Sequence, residues 1–151
     1  MLRNHPATEN EKREICNWKY KGKYALYNTV SYEKMKQHKF GFGNPKMYVE
    51  AFLDHNELIG FCNLFDDGEE IFFGIGVKPG LCGKGYGKEM TEKMYSISQK
   101  MFPGKPLYLE VRTWNKRAIN CYKSAGFVID GKIIHQETSA GSGSFYRMIR
   151  T

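Results

Sequence analysis

The sequence lacks any long hydrophobic run, since no stretch approaches the roughly 18 consecutive apolar residues that a membrane-spanning helix needs. It also lacks an internal repeat and an apolar signal segment, because residues 1–14 are mostly polar or charged. These absences exclude a transmembrane helix and predict a cytoplasmic protein with no membrane partner.

Cysteine is scarce, with four residues at positions 16, 62, 82 and 121. No two of them form a CxxC pair, and no histidine lies at zinc-site spacing from any of them. In a chain of 151 residues without a signal segment, this pattern predicts reduced thiols and offers no metal ligands.

Aromatic residues and positive charge are abundant. Hydrophobic residues make up 41% of the chain and aromatic residues 15%, which rules out intrinsic disorder. The length fits one domain, residues 1–151. The net charge of +7 favours a polyanionic partner, such as nucleic acid, an acidic surface or a phosphate-rich cofactor.

Hydrophobic periodicity predicts a mixed α/β or α+β fold, one sheet with helices on its faces. Residues 1–14 are expected to fray at the start, and 140–144 are expected to form a Gly/Ser link. Helices are predicted at 32–40, 85–101 and 116–124, and strands at 47–53, 58–65, 70–77, 107–112, 127–137 and 145–149.

A glycine-rich segment follows the strand that carries Gly74 and Gly76 and opens the long helix. Backbone N–H groups at a helix N-terminus form an anion site, and glycines at 83, 85 and 87 let a ligand approach the backbone. Lys84 and Lys88 add positive charge. The segment therefore predicts a site for phosphate or pyrophosphate.

Two familiar phosphate motifs do not fit this segment. A P-loop needs GxxxxGK[ST], but Gly87-Lys88 is preceded by Cys82 where glycine is required and followed by Glu89. A GxGxxG dinucleotide fingerprint fails because Lys88 stands at its last position and no βαβ unit begins the chain. What remains is a V-x-P-x-x-x-G-x-G-x-G pattern that opens an amphipathic helix.

This pattern resembles the GCN5-related N-acetyltransferase (GNAT) superfamily, whose acetyl-CoA loop reads Q/R-x-x-G-x-G/A. The loop falls on residues 82–87, with Cys82 in place of the usual Arg or Gln. A second block, L-E-V-R-T-W-N-K-R-A-I-N-C-Y-K-S-A-G-F at 109–127, resembles the strand and helix that follow in the family. Both blocks occur in the family's order and at its distances.

The resemblance implies an acetyl-CoA-dependent N-acetyltransferase that transfers the acetyl group directly to a primary amine in a ternary complex, without a metal. It implies a central mixed, mostly antiparallel sheet flanked by helices and splayed at the acetyl-CoA site. The implied cofactor-binding residues are Ile75, Gly76, Val77, Cys82, Gly83, Lys84, Gly85, Tyr86, Gly87, Lys88 and Asn115.

Acetyl transfer to an amine poses two proton problems. Freeing the lone pair of a lysine-like ammonium at pH 7 costs roughly 4–5 kcal/mol, and the leaving thiolate must be reprotonated. By resemblance, Tyr122 is the acid that protonates the sulfur. Glu110, as in ribosomal-protein alanine acetyltransferases, and Glu70, as in histone-type members, are alternative bases, and a water chain is a third.

The acceptor is open between a small-molecule amine and a protein N-terminus or lysine. Trp18, Tyr20, Tyr24, Tyr27 and the hairpin 136–145 lie where the family builds its acceptor pocket, and aromatic rings bind cations. A homodimer is compatible with the sequence. Two rival functions stay open: a basic RNA- or ribosome-binding module, and a non-catalytic acyl-CoA-binding protein, for which Cys82 is the argument.

Overall fold

One open sheet organises residues 2–151, which the computed structural model describes. Over these residues the helices are α1 (Glu9–Cys16), α2 (Tyr32–His38), α3 (Tyr86–Met101) and α4 (Lys116–Ser124), with 3₁₀ turns at Gly22–Tyr27 and Gly41–Gly43. The strands are β1 (Leu2–Pro6), β2 (Tyr48–Asp54), β3 (Glu57–Asp66), β4 (Ile71–Val77), β5 (Leu107–Arg112), β6 (Val128–Ile129), β7 (Ile134–Thr138) and β8 (Gly141–Arg150).

The strand order is β1-β2-β3-β4-β5-β8-β6, and β7 also pairs with β8. All the pairings are antiparallel except β4 with β5. The predicted class, an α+β fold with a mostly antiparallel sheet flanked by helices, is confirmed. No helix within residues 2–151 is long and apolar enough to cross a bilayer, and the cytoplasmic location stays a prediction.

Local signals in the sequence fix where the helices begin. Thr8 and Glu11 form a capping box at α1, and the Ser31 side chain caps α2. Asn115 caps α4 in the same way, with its side-chain oxygen 3.3 Å from the backbone nitrogen of Ala118. These caps satisfy N–H groups that the first turn of a helix leaves unpaired.

The core lies on both faces of the sheet. On one face, Met90 and Met94 of α3 are fully buried against strand residues that include Phe73 and Leu107. On the other face, α1 buries Ile15, which clusters with Trp18, Ala51 and Leu58. Helices therefore pack on both faces of the sheet.

The parallel pairing of β4 with β5 stops after two residue pairs, Ile71 with Leu107 and Phe72 with Tyr108. Beyond Phe72, β4 pairs only with β3, whereas β5 pairs only with β8. The two strands therefore diverge and leave unpaired backbone groups along their facing edges. This is the splay that the resemblance implied.

Three expectations about the ends of the chain are wrong. Residues 2–6 are not frayed, because they form β1 and pair with β2, and Met1 lies outside the described residues. The predicted strand 127–137 is two strands, separated at Gly131, where φ is +80°. The Gly/Ser stretch is not a link either, since residues 141–144 lie within β8 and pair with β7. Small residues are acceptable there because β7–β8 is an exposed hairpin, so cross-strand pairing outweighs strand propensity.

Candidate active site

A cavity of ≈ 880 Å³ lies in the splay between β4 and β5. Its lining includes the unpaired part of β4, the glycine loop, β5, α4 and the segment between α1 and α2. Of the implied cofactor-binding residues, those that line it are Ile75, Gly76, Val77, Cys82, Gly83, Gly85, Gly87, Lys88 and Asn115. Lys84 and Tyr86 lie outside the lining, and the Tyr86 hydroxyl donates to Asp54 at 2.6 Å.

The glycine loop ends in the first turn of α3. Gly83 and Gly85 have φ of +81° and +86°, a backbone conformation that favours glycine. A Cβ at either position would meet no atom within 4 Å, so the space beside the loop is open to a ligand. Gly87 has another role, because a Cβ there would lie 2.9 Å from Cys121 Sγ on α4.

The glycines of β4 allow close approach rather than a bulge. The β3–β4 ladder keeps its register throughout, whereas the irregularity in the sheet lies in β2–β3, between Phe52 and Leu53. A Cβ on Gly74 would lie 2.5 Å from the Asn63 side chain, and one on Gly76 would lie 2.3 Å from the Phe61 ring. Both side chains line the cavity, so the glycines make room for its wall.

Tyr122 lies on α4 and faces the cavity. Its ring packs on Phe127 and Phe73, with centroid separations of 5.8 and 6.5 Å. Burial raises the pKa of the Tyr122 phenol above its usual 10.0, because a phenolate would lose its hydration. No residue in 2–151 accepts a hydrogen bond from its hydroxyl, which is therefore available to a ligand.

The two candidate carboxylates have different surroundings. Glu110 is exposed, lines the cavity from β5 and accepts a hydrogen bond from Gln136 Nε2 at 3.0 Å. Glu70 lies outside the lining and forms a two-point ion pair with Arg147, with N–O distances of 2.9 and 2.5 Å. The structure thus brings Glu110, but not Glu70, to the cavity that holds Tyr122.

The four aromatic residues between α1 and α2 also line the cavity. The Tyr20 hydroxyl donates to the Val77 carbonyl at 2.9 Å, and burial raises its pKa. Tyr27 accepts a hydrogen bond from Asn115 Nδ2 at 3.0 Å. Asn115 therefore connects the aromatic segment between α1 and α2 to the start of α4. Tyr24 packs against Trp114 at 5.5 Å, and Arg117 lies 4.3 Å over the Tyr24 ring.

Comparison with protein-family models gives a match over residues 12–127, to the model described as the acetyltransferase (GNAT) family. The chain belongs to the GNAT acetyltransferase family. It is an N-acetyltransferase by family, and acetyl-CoA is its acetyl donor. A comparison with curated protein sequences gave no match.

Solved structures show the same fold. The spermidine N-acetyltransferase of Vibrio cholerae, in complex with CoA and spermine, is 19% identical with a TM-score of 0.81, over 98% of this chain and 94% of that one. The ribosomal-protein-S18-alanine N-acetyltransferase of Escherichia coli is 20% identical with a TM-score of 0.75, over 99% of this chain and 93% of that one.

The cavity of this GNAT protein fits acetyl-CoA. A bare loop at a helix N-terminus suits the pyrophosphate, and the free edge of β4 suits the amide groups of an extended pantetheine arm. Lys88 and Arg117 add positive charge to the lining. No cluster of His, Cys, Asp or Glu that could hold a metal occurs within residues 2–151.

Sequence reasoning missed part of the wall of the site. Phe61 of β3 and Phe42 line the cavity and pack edge to face at 5.1 Å, although nothing in their local sequence distinguishes them from core residues. Arg112 also lines it and had no assigned role. Its position two residues after Glu110, on the same face of β5, was a signal for it.

Proposed function

We propose that the chain is one N-acetyltransferase domain, residues 1–151, that transfers an acetyl group from acetyl-CoA directly to a primary amine while both substrates are bound. The observation that carries this proposal is that Glu110 and Tyr122 line the same cavity as the glycine loop and the free edge of β4. A proton acceptor and a proton donor therefore share one space with the donor site.

The acetyl donor would bind through the amide groups of its pantetheine arm and through its phosphates. Amide groups of the pantetheine arm would pair with β4 from Ile75 to Val77, where the strand lacks a partner on the β5 side. The pyrophosphate would accept hydrogen bonds from backbone N–H groups of the loop, from Cys82 to the start of α3. Cys82 contributes no cation there, so the backbone and Lys88 carry this contact.

In the proposed step, Glu110 takes a proton from the acceptor ammonium, directly or through one water. The freed nitrogen lone pair forms a bond to the acetyl carbon, and the carbon–sulfur bond then breaks. Tyr122 donates its proton to the departing thiolate. The second proton lost by the acceptor nitrogen reaches the phenolate through water and restores the phenol, while the proton held by Glu110 is released to solvent. The products are an N-acetyl amine and CoA thiol.

Titration calorimetry with acetyl-CoA, together with free-thiol release on a panel of polyamines, amino acids and peptides, tests this proposal. Micromolar donor binding and release that depends on an added amine are expected. Tight binding with no release on any amine would instead indicate a non-catalytic acyl-CoA-binding protein. No binding at millimolar acetyl-CoA would contradict the proposed donor site and make RNA the next ligand to test.

Three variants test the assigned roles. Glu110→Gln and Tyr122→Phe should each lower kcat by about 10²-fold or more, the usual effect of losing a general base or acid. Glu70→Gln is the matched control, because Glu70 lies outside the cavity, and it should keep kcat within about twofold of the parent. A loss of kcat in Glu70→Gln but not in Glu110→Gln would reverse the assignment of the base.

A further inference from the structure

Arg112 is a buried cation with no carboxylate partner among residues 2–151. Its relative exposure is 8%. Nη2 donates to the Thr138 hydroxyl at 3.2 Å, and Nη1 lies 3.4 Å from the Ser142 carbonyl. Both acceptors are neutral, so the desolvation of the guanidinium charge is only partly offset.

The β7–β8 hairpin is shaped around this guanidinium. A Cβ on Gly143 would lie 2.2 Å from Arg112 Nη1, so any other residue at this position would displace the end of the Arg112 side chain. The Phe145 ring lies on another side, with its centroid 4.8 Å from the guanidinium carbon. The hairpin and ring hold the charge beside the cavity, which both Arg112 and Phe145 line.

The rest of the lining complements this cation. Glu110 is the one carboxylate among the described residues that line the cavity. It lies on the same face of β5 as Arg112, two residues earlier, so their Cα atoms are roughly 6.6 Å apart. The ammonium and the carboxylate of an α-amino acid are attached to one carbon atom, so neighbouring side chains of opposite charge on one strand face can each make a charge-assisted hydrogen bond to it.

Around Trp18, where the resemblance places the acceptor pocket, the wall of the cavity is mostly apolar and aromatic. Trp18 and Phe61 pack with ring centroids 6.5 Å apart, and both line the cavity together with Phe42, Met47 and Ile15. A single carboxylate beside such walls suits one ammonium group. A polyamine, with several ammonium groups, would leave all but one of them without an anionic partner in this lining.

We infer that the acceptor is an α-amino acid with a large apolar side chain, whose carboxylate pairs with Arg112, whose ammonium pairs with Glu110 and whose side chain lies against Phe61 and its neighbours. This inference rests on the proposed N-acetyltransferase function. A peptide N-terminus fits less well, because its neighbouring carbonyl is a neutral amide that leaves the Arg112 charge unpaired.

The test compares two acceptors that differ only in the carboxylate, L-phenylalanine and L-phenylalaninamide, by thiol release at saturating acetyl-CoA. The wild-type protein should show a kcat/KM at least tenfold higher for the amino acid. Equal or faster turnover of the amide would overturn the inference. Because this comparison needs no substitution, it holds even where a variant fails to fold.

Arg112→Gln should bring the acid-to-amide ratio of kcat/KM close to one, and Arg112→Lys should restore part of the preference. Arg3→Gln is the matched control, since Arg3 is exposed and lies outside the cavity lining, and it should keep the wild-type ratio. An unchanged ratio in Arg112→Gln would overturn the inference. The ratio does not depend on the fraction of folded enzyme.

The outcomes separate this inference from the function on which it rests. Thiol release with spermidine or a peptide, but with neither phenylalanine compound nor leucine, would overturn the amino-acid acceptor and leave the N-acetyltransferase function standing. Release with no amine in the panel would overturn both.

Discussion

Gly76→Ala tests whether the wall of the cavity depends on the missing side chain at this position. The added methyl would lie 2.3 Å from Phe61 Cε1, far inside the roughly 3.5–4.0 Å at which carbon atoms make favourable contact. Phe61 cannot move away freely, because its ring packs on Phe42 at 5.1 Å and on Trp18 at 6.5 Å. Overpacking of this kind costs about 1–3 kcal/mol, offset by about 0.5–1 kcal/mol from replacing a strand glycine.

The expected net loss for Gly76→Ala is therefore roughly 0–2.5 kcal/mol of unfolding free energy, measured by urea denaturation with the dependence of that free energy on urea concentration unchanged. In a Phe61→Ala background the methyl has space, and the same substitution should gain about 0.5–1 kcal/mol. The double-mutant cycle should thus give a coupling of roughly 1–3 kcal/mol. A cost that stays the same in both backgrounds would refute the assignment of the clash to Phe61. The KM for the acceptor should rise in Gly76→Ala more than the Kd for CoA, because the displaced Phe61 ring packs on Trp18, where the acceptor is expected to bind.

Two further predictions concern Tyr122 and Asn115. Burial raises the pKa of Tyr122, so its phenol keeps its proton at a pH where an exposed tyrosine ionises. We therefore expect kcat not to fall as the pH rises to 10.0. An alkaline fall in kcat centred below that value would contradict the role of Tyr122 as the acid. Asn115→Ala removes both the cap of α4 and the hydrogen bond to Tyr27, and it should lower the free energy of unfolding by about 2 kcal/mol in urea denaturation. Ser31→Ala removes only the cap of α2 and should lower it by about 1 kcal/mol. Equal losses would show that the bond to Tyr27 adds nothing to stability.

The elements around the donor site could be predicted from sequence because their signals are local. The strand 107–112 and the helix 116–124 begin and end where alternation and capping place them, and α2 begins after Ser31 as expected. The far end of the chain could not, because residues 141–144 form a strand only through their partners in β7. Pairing across this hairpin leaves no hydrophobic alternation in a glycine- and serine-rich sequence.

The residues of the site also fall into those that the sequence could predict and those that it could not. The glycine loop, Tyr122 and Asn115 lie in two contiguous motifs, so their positions along the cavity follow from a resemblance confined to those motifs. Glu70 and Glu110 could not be separated from sequence, since Glu110 lies within β5 and Glu70 directly precedes the neighbouring strand β4. What separates them is a long-range contact: Arg147 of β8 pairs with Glu70, while Glu110 accepts a hydrogen bond from the neutral side chain of Gln136.

The net charge of +7 connects the donor site with the acceptor. A positive field attracts the phosphates of CoA and repels cationic amines as they approach, whereas a zwitterion feels little of it. Because salt screens this field over about 10 Å at 0.1 M, raising ionic strength should increase kcat/KM for spermidine and leave that for L-phenylalanine nearly unchanged at saturating acetyl-CoA. Steady-state kinetics between 20 mM and 300 mM salt, roughly the range over which screening changes most, would measure both slopes. A kcat/KM for spermidine that falls with salt would mean that a local acidic surface outweighs the net charge, and the electrostatic argument for an acceptor without net charge would be wrong.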